Sequence, residues 1–184
     1  MAEELVDIVD ENGNKTGVVK TRKEVHEKGL WHQTVDVWIY NSKGEVLLQK
    51  RSMGKESWPG MWDVSSSGHI PAGETPERAA LRETLEELGI KVNPKDLKQL
   101  FVEKGISSPK AGRYHNHIAY VYLLKHEDLP RNLQKEEVES VVFIPLDAFE
   151  KELQNPKTAK RYVPQNYYPK LIEILRKLFA KSET

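Results

Sequence analysis

The stretch from Gly68 to Ile90 reads GHIPAGETPERAALRETLEELGI and predicts a loop followed by a helix. Thr75 and Pro76 form a typical helix start, an N-cap followed by proline at the first helical position. Gly89 is a typical stop, because glycine readily adopts the left-handed conformation in which many helices end. We therefore expect one helix between Pro76 and Gly89.

This helix separates apolar from acidic side chains. At 3.6 residues per turn, the side of the helix that we expect to face the core consists of Leu81, Thr84, Leu85 and Leu88, the expected apolar stripe. On the opposite side, within about 100° of arc, lie three carboxylates, Glu83, Glu86 and Glu87. Like charges at this spacing repel each other mildly, whereas Mg²⁺ prefers such oxygen ligands. A solvated acidic helix face is the alternative interpretation.

The residues around the carboxylates favour the metal site. Gly68 and Gly73 suit a tight loop whose backbone can approach a metal or a phosphate. Arg82 precedes Glu86 by one helical turn and can orient that carboxylate. The segment therefore predicts a loop and a helix that together hold a cation.

The spacing of these residues resembles the Nudix box, G-x5-E-x7-R-E-U-x-E-E-x-G-U, in which U is aliphatic. The matching positions are Gly68, Glu74, Arg82, Glu83, Glu86, Glu87, Gly89 and Ile90. Thr84 departs from the pattern, although its methyl group can still face the core. The resemblance implies a member of the Nudix hydrolase superfamily, with an α/β (α+β) fold in which helices flank a mixed β-sheet sandwich.

The resemblance also implies a reaction, the divalent-metal-dependent hydrolysis of a phosphoanhydride bond in a nucleoside diphosphate-type substrate. The residues that would hold the metal, Mg²⁺ or Mn²⁺, are Gly68, Glu83, Glu86 and Glu87. Arg82 would orient these carboxylates and Glu74 would support them. The ion would neutralise phosphate oxygens and activate a water for attack on phosphorus. The candidates for the general base are Glu83, Glu87 and Glu137.

Segments outside the box resemble the branch that contains isopentenyl-diphosphate isomerase, over about residues 3 to 150. They are the segment from Asp7–Asp10 to Thr16–Gly17, and the shorter segments Leu30–His32, Leu48–Arg51 and Trp58–Trp62. The isomerase needs a cysteine just before the box glycine, where this chain has Ser67. A serine hydroxyl is a far weaker acid than a thiol, whose pKa is about 8.5. Hydrolysis is therefore favoured, and isomerisation is the alternative.

The isomerase resemblance implies further binding residues. Five histidines lie at or next to its metal-holding positions: His26, His32, His69, His115 and His117. They form a candidate second site for a transition-metal ion, since neutral imidazole suits Zn²⁺ or Mn²⁺, and ordinary surface or hydrogen-bonded histidines are the alternative. Three basic residues match positions that cradle the diphosphate: Arg22, Arg51 and Lys55. Their alternative role is solubility.

The composition limits the partners of the chain. The sequence has 28 Lys and Arg and 28 Asp and Glu among 184 residues, so no global field would attract nucleic acid or an anionic membrane. Neither nucleic acid nor a membrane is therefore an expected partner, and the family resemblance implies a small phosphorylated substrate. The sequence contains no cysteine, which excludes a disulfide framework and a cysteine nucleophile.

The length fits a single Nudix domain over residues 1–184, with an N-terminal hairpin at about 4–20 and a C-terminal helix at about 166–181. The acidic start MAEELVD is unlike a signal peptide, and the longest apolar run, Ile118–Leu124, is shorter than the ~20 residues of a membrane helix. We therefore expect a cytoplasmic protein. The family resemblance also implies that the protein forms a homodimer.

Sequence patterns place the other elements. The expected strands are Leu5–Val9, Gly17–Lys20, Thr34–Tyr40, Glu45–Lys50, Met61–Ser65, Leu97–Glu103, His117–Leu124 and Val138–Ile144. Thr34–Tyr40 and Glu45–Lys50 should form a second hairpin. The further expected helices are Arg22–Lys28, Leu146–Leu153 and Tyr167–Lys181.

Overall fold

A computed structural model of the chain describes residues 3–110 and 113–182. The strands are β1 (Leu5–Val9), β2 (Lys15–Thr21), β3 (His32–Tyr40), β4 (Glu45–Arg51), β5 (Trp62–Asp63), β6 (Ser66–His69), β7 (Leu97–Lys110), β8 (Arg113–Lys125) and β9 (Val138–Pro145). The helices are α1 (Arg22–Lys28), α2 (Pro76–Leu88), α3 (Leu146–Gln154), α4 (Pro156–Ala159) and α5 (Tyr168–Ser182), with a 3-10 turn at Pro94–Asp96. Within these ranges, none of the helices has the length and apolar character that crossing a membrane requires.

A mixed sheet of seven strands forms the centre of the protein. Strand β3 pairs in parallel with β8 and antiparallel with β6. Helix α2 packs on one face of β3, through contacts that include Val37 and Leu88. Helices α3 and α5 pack on the other face, where Trp38 meets Phe149 and Leu171. The expected mixed sheet flanked by helices is confirmed, and β1 and β2 form the expected N-terminal hairpin beside it.

Strands β3 and β4 meet at their turn and then separate. They pair at Tyr40 and Val46, but beyond this point β4 pairs with β5 and β9 while β3 pairs with β6 and β8. The expected second hairpin is therefore confirmed only at its turn. The sheet opens into two leaves, and a cavity of about 1170 Å³ is lined from both of them, for example by Asp36 and Arg51.

The prediction of one continuous strand over Met61–Ser65 is wrong, because this segment crosses from one leaf of the sheet to the other. β5 pairs with β4, whereas β6 pairs with β3. Ser65 lies at the crossing and is fully buried. Its hydroxyl accepts a hydrogen bond from the Ile39 amide (2.9 Å) and donates one to the Leu47 carbonyl (2.6 Å). One side chain therefore joins the leaves where they separate.

Helix α2 has the expected ends but a different buried face. Thr75 caps it and Gly89 ends it in the left-handed conformation, with a φ of 68°. The buried residues are Ala79, Ala80, Thr84, Glu87 and Leu88. Leu85 is 50% exposed, so the expected apolar stripe is wrong there. Glu87, which was expected on the side opposite the buried stripe, is itself 4% exposed. The small side chains of Ala79 and Ala80 let this side of the helix lie on the sheet.

Candidate active site

Glu83 lies against the backbone of Gly68. A β-carbon at position 68 would overlap the Glu83 carboxyl group, so only glycine leaves room for it. Glu83 Oε1 also accepts a hydrogen bond of 2.8 Å from Arg82 Nη1. The box glycine therefore leaves the space in which the Glu83 carboxyl group lies.

Arg82 connects the loop before α2 to the carboxylates of the helix. Its Nη1 also donates to Glu86 Oε2 at 3.0 Å. Its Nε and Nη2 donate to Glu74 Oε2 at 3.3 and 3.1 Å, and Nη2 donates to the His69 carbonyl at 3.3 Å. A single guanidinium group thus fixes the positions of Glu74 and Glu86 as well as Glu83.

Glu87 is withdrawn from water, with 4% of its surface exposed. Its Oε2 accepts hydrogen bonds from the Ser67 amide at 3.1 Å and from Gln49 Nε2 at 3.4 Å. Burial, and then the charge of Glu83, raise the pKa of Glu87 to about 8, although the Ser67 amide lowers it. Burial also raises the pKa of Glu83 to about 7, against the lowering effect of Arg82. The two acids therefore gain from a shared cation.

The expected phosphate-binding residues line the same cavity as these glutamates, as does Glu137. Lys55 forms an ion pair with Glu137. Arg51 donates from Nη1 to Asp63 Oδ2 at 2.8 Å and from Nε to the Ser57 carbonyl at 3.0 Å. The third, Arg22, forms an ion pair with a glutamate of the N-terminal segment. The structure brings all three cations and Glu137 together.

Four of the five expected histidines form one cluster, which consists of His26, His32, His69 and His115. Each offers a ring nitrogen, and these atoms all lie within 4.8 Å of one another. His26 Nε2 and His69 Nε2 are 3.0 Å apart. The fifth, His117, lies beside the cluster, with its ring centroid 4.2 Å from that of His115.

Burial favours the neutral form of three imidazoles of the cluster. Burial lowers the pKa of His32 to about 3 and those of His69 and His115 well below the ordinary value. The buried His32 Nε2 has no hydrogen-bond partner among the described residues. A neutral ring nitrogen of this kind retains a lone pair for a ligand.

Sequence reasoning missed a buried acid that lines the same cavity. Asp36 lies on β3, is 6% exposed, and accepts a hydrogen bond of 2.7 Å from the Tyr167 hydroxyl. Burial raises the pKa of Asp36 to about 7. The available signal was an acid between Val35 and Val37, inside a strand whose pattern is otherwise that of a buried one.

The sequence profile of the NUDIX domain matches residues 30–165 of the chain. The chain belongs to the Nudix family. The expected membership of the Nudix hydrolase superfamily is therefore confirmed. Five residues of the box line one cavity of this Nudix fold: Gly68, Arg82, Glu83, Glu86 and Glu87.

Relatives with the Nudix name match most of the chain. Nudix hydrolase 3 of Arabidopsis thaliana is 42% identical over 186 residues, covering 96% of this chain but only 24% of that protein. An uncharacterized Nudix hydrolase of Clostridium acetobutylicum is 40% identical over 160 residues, or 84% of this chain and 76% of the relative. A crystal structure from Deinococcus radiodurans, at 22% identity, has a TM-score of 0.67 and covers 95% of this chain and 98% of its own, which shows the fold.

Isopentenyl-diphosphate isomerases match about half of the chain. The enzyme of Citrobacter koseri is 35% identical over 92 residues, which is 50% of this chain and 51% of the enzyme. The expected likeness to this branch is therefore confirmed as a partial one. The single domain over 1–184, the cytoplasmic location and the homodimer stay predictions.

Proposed function

We propose that this Nudix protein is a divalent-metal-dependent hydrolase that cleaves a phosphoanhydride bond in a nucleoside diphosphate-type substrate. The observation that carries the proposal is a pair of acids one helical turn apart, the partly buried Glu83 and the buried Glu87, whose pKa values burial raises to about 7 and about 8. Two neighbouring carboxyl groups that are removed from much of the solvent favour a nearby cation. With Glu86, they offer the oxygen ligands that suit Mg²⁺ or Mn²⁺.

The protein residues around this pair have distinct roles in the proposal. A bound divalent ion supplies charge neutralisation at the phosphate oxygens and activation of a water molecule. Arg82 holds Glu83 and Glu86 in place through its hydrogen bonds. Lys55 and Arg51 line the cavity and present positive charge to the diphosphate, and the guanidinium group is suited to bidentate phosphate contacts. Arg22 adds a third cation to the same wall.

A carboxylate must also accept the proton of the attacking water. Glu137 lies in the cavity outside the proposed metal ligands and forms an ion pair with Lys55. We therefore keep it as a candidate general base beside Glu83 and Glu87. A Glu137→Gln variant with wild-type kcat across the pH range would exclude it.

Isomerisation of isopentenyl diphosphate is the second candidate function, because part of the chain is similar to isomerases. Ser67 stands at the position where that reaction needs a cysteine, and its hydroxyl is a much weaker acid than a thiol. The absence of a cysteine at this position favours hydrolysis.

One assay separates the two functions. The purified protein is incubated with Mg²⁺ or Mn²⁺ and a panel of nucleoside di- and triphosphates, dinucleotides, nucleotide sugars and isopentenyl diphosphate. Cleavage into phosphate or phosphate-monoester products and double-bond migration are followed. We expect cleavage that falls at least about 100-fold in Glu87→Gln, the order seen when one electrostatic contact of a catalytic site is removed. Glu77→Gln, an exposed glutamate of the same helix, is the matched control. Double-bond migration without cleavage of any phosphoanhydride bond would reject the hydrolase.

We further propose that the histidine cluster, His26, His32, His69 and His115, binds a transition-metal ion. Its support is the close set of ring nitrogens and the unpartnered, buried Nε2 of His32. Buried polar atoms of folded proteins nearly always have a partner, and imidazole suits Zn²⁺ or Mn²⁺. A metal ion would provide that partner.

Metal analysis of the purified protein tests this site independently of turnover. We expect a bound transition metal that is lost in His32→Ala, together with a Zn²⁺ affinity at least about tenfold weaker by calorimetry, the order caused by changes around a metal site. His126→Ala, the sixth histidine, lies outside the cluster and is the matched control. An unchanged metal content in His32→Ala would reject the site.

A further inference from the structure

The cavity contains an acid that the proposed hydrolysis does not use. Asp36 on β3 lies opposite Ser67 of β6 in the sheet. Ser67 is also the residue whose amide holds Glu87. Asp36 therefore lies on the strand next to the proposed reaction centre, and it lines the same cavity.

A chain of hydrogen bonds fixes the Asp36 carboxyl group. Trp38 Nε1 donates to the Tyr167 hydroxyl oxygen at 3.2 Å, and the Tyr167 hydroxyl donates to Asp36 Oδ2 at 2.7 Å. All three residues are buried. A carboxyl group has two oxygens and about four acceptor sites, so this one retains capacity to bind a ligand in the cavity after Tyr167 has been satisfied.

The wall around Asp36 is rich in polar side chains. Other polar residues that line the same cavity include Asp63, Glu103, Gln165, Asn166 and Tyr167. Asp63 is 3% exposed and already paired with Arg51, whereas Glu103 forms a longer ion pair of 3.6 Å with Lys170. Carboxylates and amide oxygens accept hydrogen bonds, so this wall suits a ligand that donates them.

A hydrocarbon chain would be a poor occupant of this space. It would separate the Asp36 carboxyl group from water and offer no hydrogen bond in return, which is unfavourable for a buried polar group. A site that is built to bind a hydroxyl group rejects the analogue without it more strongly than an apolar pocket rejects a change of one methylene. The wall therefore discriminates by hydrogen bonding rather than by size.

We propose that Asp36, oriented by Tyr167, is a specificity-determining residue that binds a hydroxyl or amino group of the moiety attached to the diphosphate and excludes a prenyl chain. This inference rests on the proposed function, because it assigns the part of the substrate beyond the bond that is cleaved. The space around Asp36 and Tyr167 is the Asp36 subsite.

Binding of two matched probes tests the subsite without any turnover. Both are methylenebisphosphonate diesters, which cannot be hydrolysed at the bridge; one has two glyceryl arms and the other has two n-propyl arms. The arms have equal length, and the two ends of each probe are identical, so either end presents the same group to the subsite. With Mg²⁺, we expect calorimetry to give about tenfold or greater preference of the wild type for the glyceryl probe, within the range for one such group.

Two variants connect this preference to Asp36. Asp36→Val, which has a similar shape but no acceptor, should reduce the preference to within about threefold, and circular dichroism checks its fold. Asp36→Asn, which keeps an acceptor for Tyr167, is the second variant if the first does not fold. It should lower the preference for the glyceryl probe at least about threefold, because a hydrogen bond to a carboxylate is stronger than one to a neutral amide. Asp96→Asn, an exposed aspartate outside the cavity, should keep the wild-type preference.

Three results would overturn the inference: no binding of the glyceryl probe, equal or tighter binding of the propyl probe, or a wild-type preference in a folded Asp36 variant. A purely structural role of Asp36 would change the melting temperature and leave the preference intact. The proposed function fails separately, since a protein that hydrolyses no member of the nucleotide panel can still be titrated with both probes.

Discussion

Replacement of Gly68 by alanine should disable the site through one methyl group. The new β-carbon would overlap the Glu83 carboxyl group and would lie 2.7 Å from Glu83 Cγ, where ordinary contact begins at 3.4 Å. Cγ must therefore move by about 0.7 Å and the carboxyl group by more. Misplacement by about 1 Å lowers turnover roughly 100-fold in well-positioned sites, so we expect a loss of about that size.

The assay compares kcat on the best substrate of the panel and Mn²⁺ affinity by calorimetry. Both should fall in Gly68→Ala, because Glu83 is displaced from Arg82 as well as from the metal. Gly54→Ala is the matched control, since its β-carbon would meet nothing closer than Ser52 Oγ at 3.8 Å and it lies outside the cavity. A Gly68→Ala protein with wild-type kcat and Mn²⁺ affinity would refute the reasoning.

Two further changes test the packing and the electrostatics of the protein. Leu88→Ala should lower the free energy of unfolding by about 2–5 kcal/mol, since Leu88 is 1% exposed. Leu85→Ala should lower it by less than about 1 kcal/mol, because Leu85 is 50% exposed. Urea denaturation measures both losses, and equal losses would contradict the orientation of α2. Asp36→Asn should flatten the decline in stability between about pH 4 and pH 7. Burial raises the pKa of Asp36 to about 7 in the folded protein, so the wild type holds this proton more tightly when folded and loses stability as the pH rises through that range. Urea curves at several pH values measure the effect, and parallel pH profiles of the two proteins would argue against it.

Local signals in the sequence were sufficient for the ends of α2 but not for its orientation. The cap at Thr75 and the left-handed Gly89 act within one turn of the helix, so the sequence predicts both ends correctly. The rotation of the helix about its axis depends on Ala79 and Ala80 packing against a distant strand. The pattern of leucines contains no information on that contact, which is why the burial of Glu87 was not predicted.

The candidate site was predictable where a family motif covers it and not elsewhere. Positions within the box depend on one loop and one helix, and their spacing is fixed. The Asp36 subsite instead needs β3 and the segment before α5 to meet, and the Asp36–Tyr167 contact joins residues 131 positions apart. The crossing of Val64 and Ser65 between the two leaves is likewise a result of strand pairing over long distances.

Ser65 limits how this fold can vary. Its hydroxyl bonds the Ile39 amide of one leaf and the Leu47 carbonyl of the other. A wider separation of the leaves at this point would therefore leave two buried backbone groups without partners. The angle between the leaves is constrained by the core, so variants that accept larger or smaller substrates would need to change the loops at the rim of the cavity.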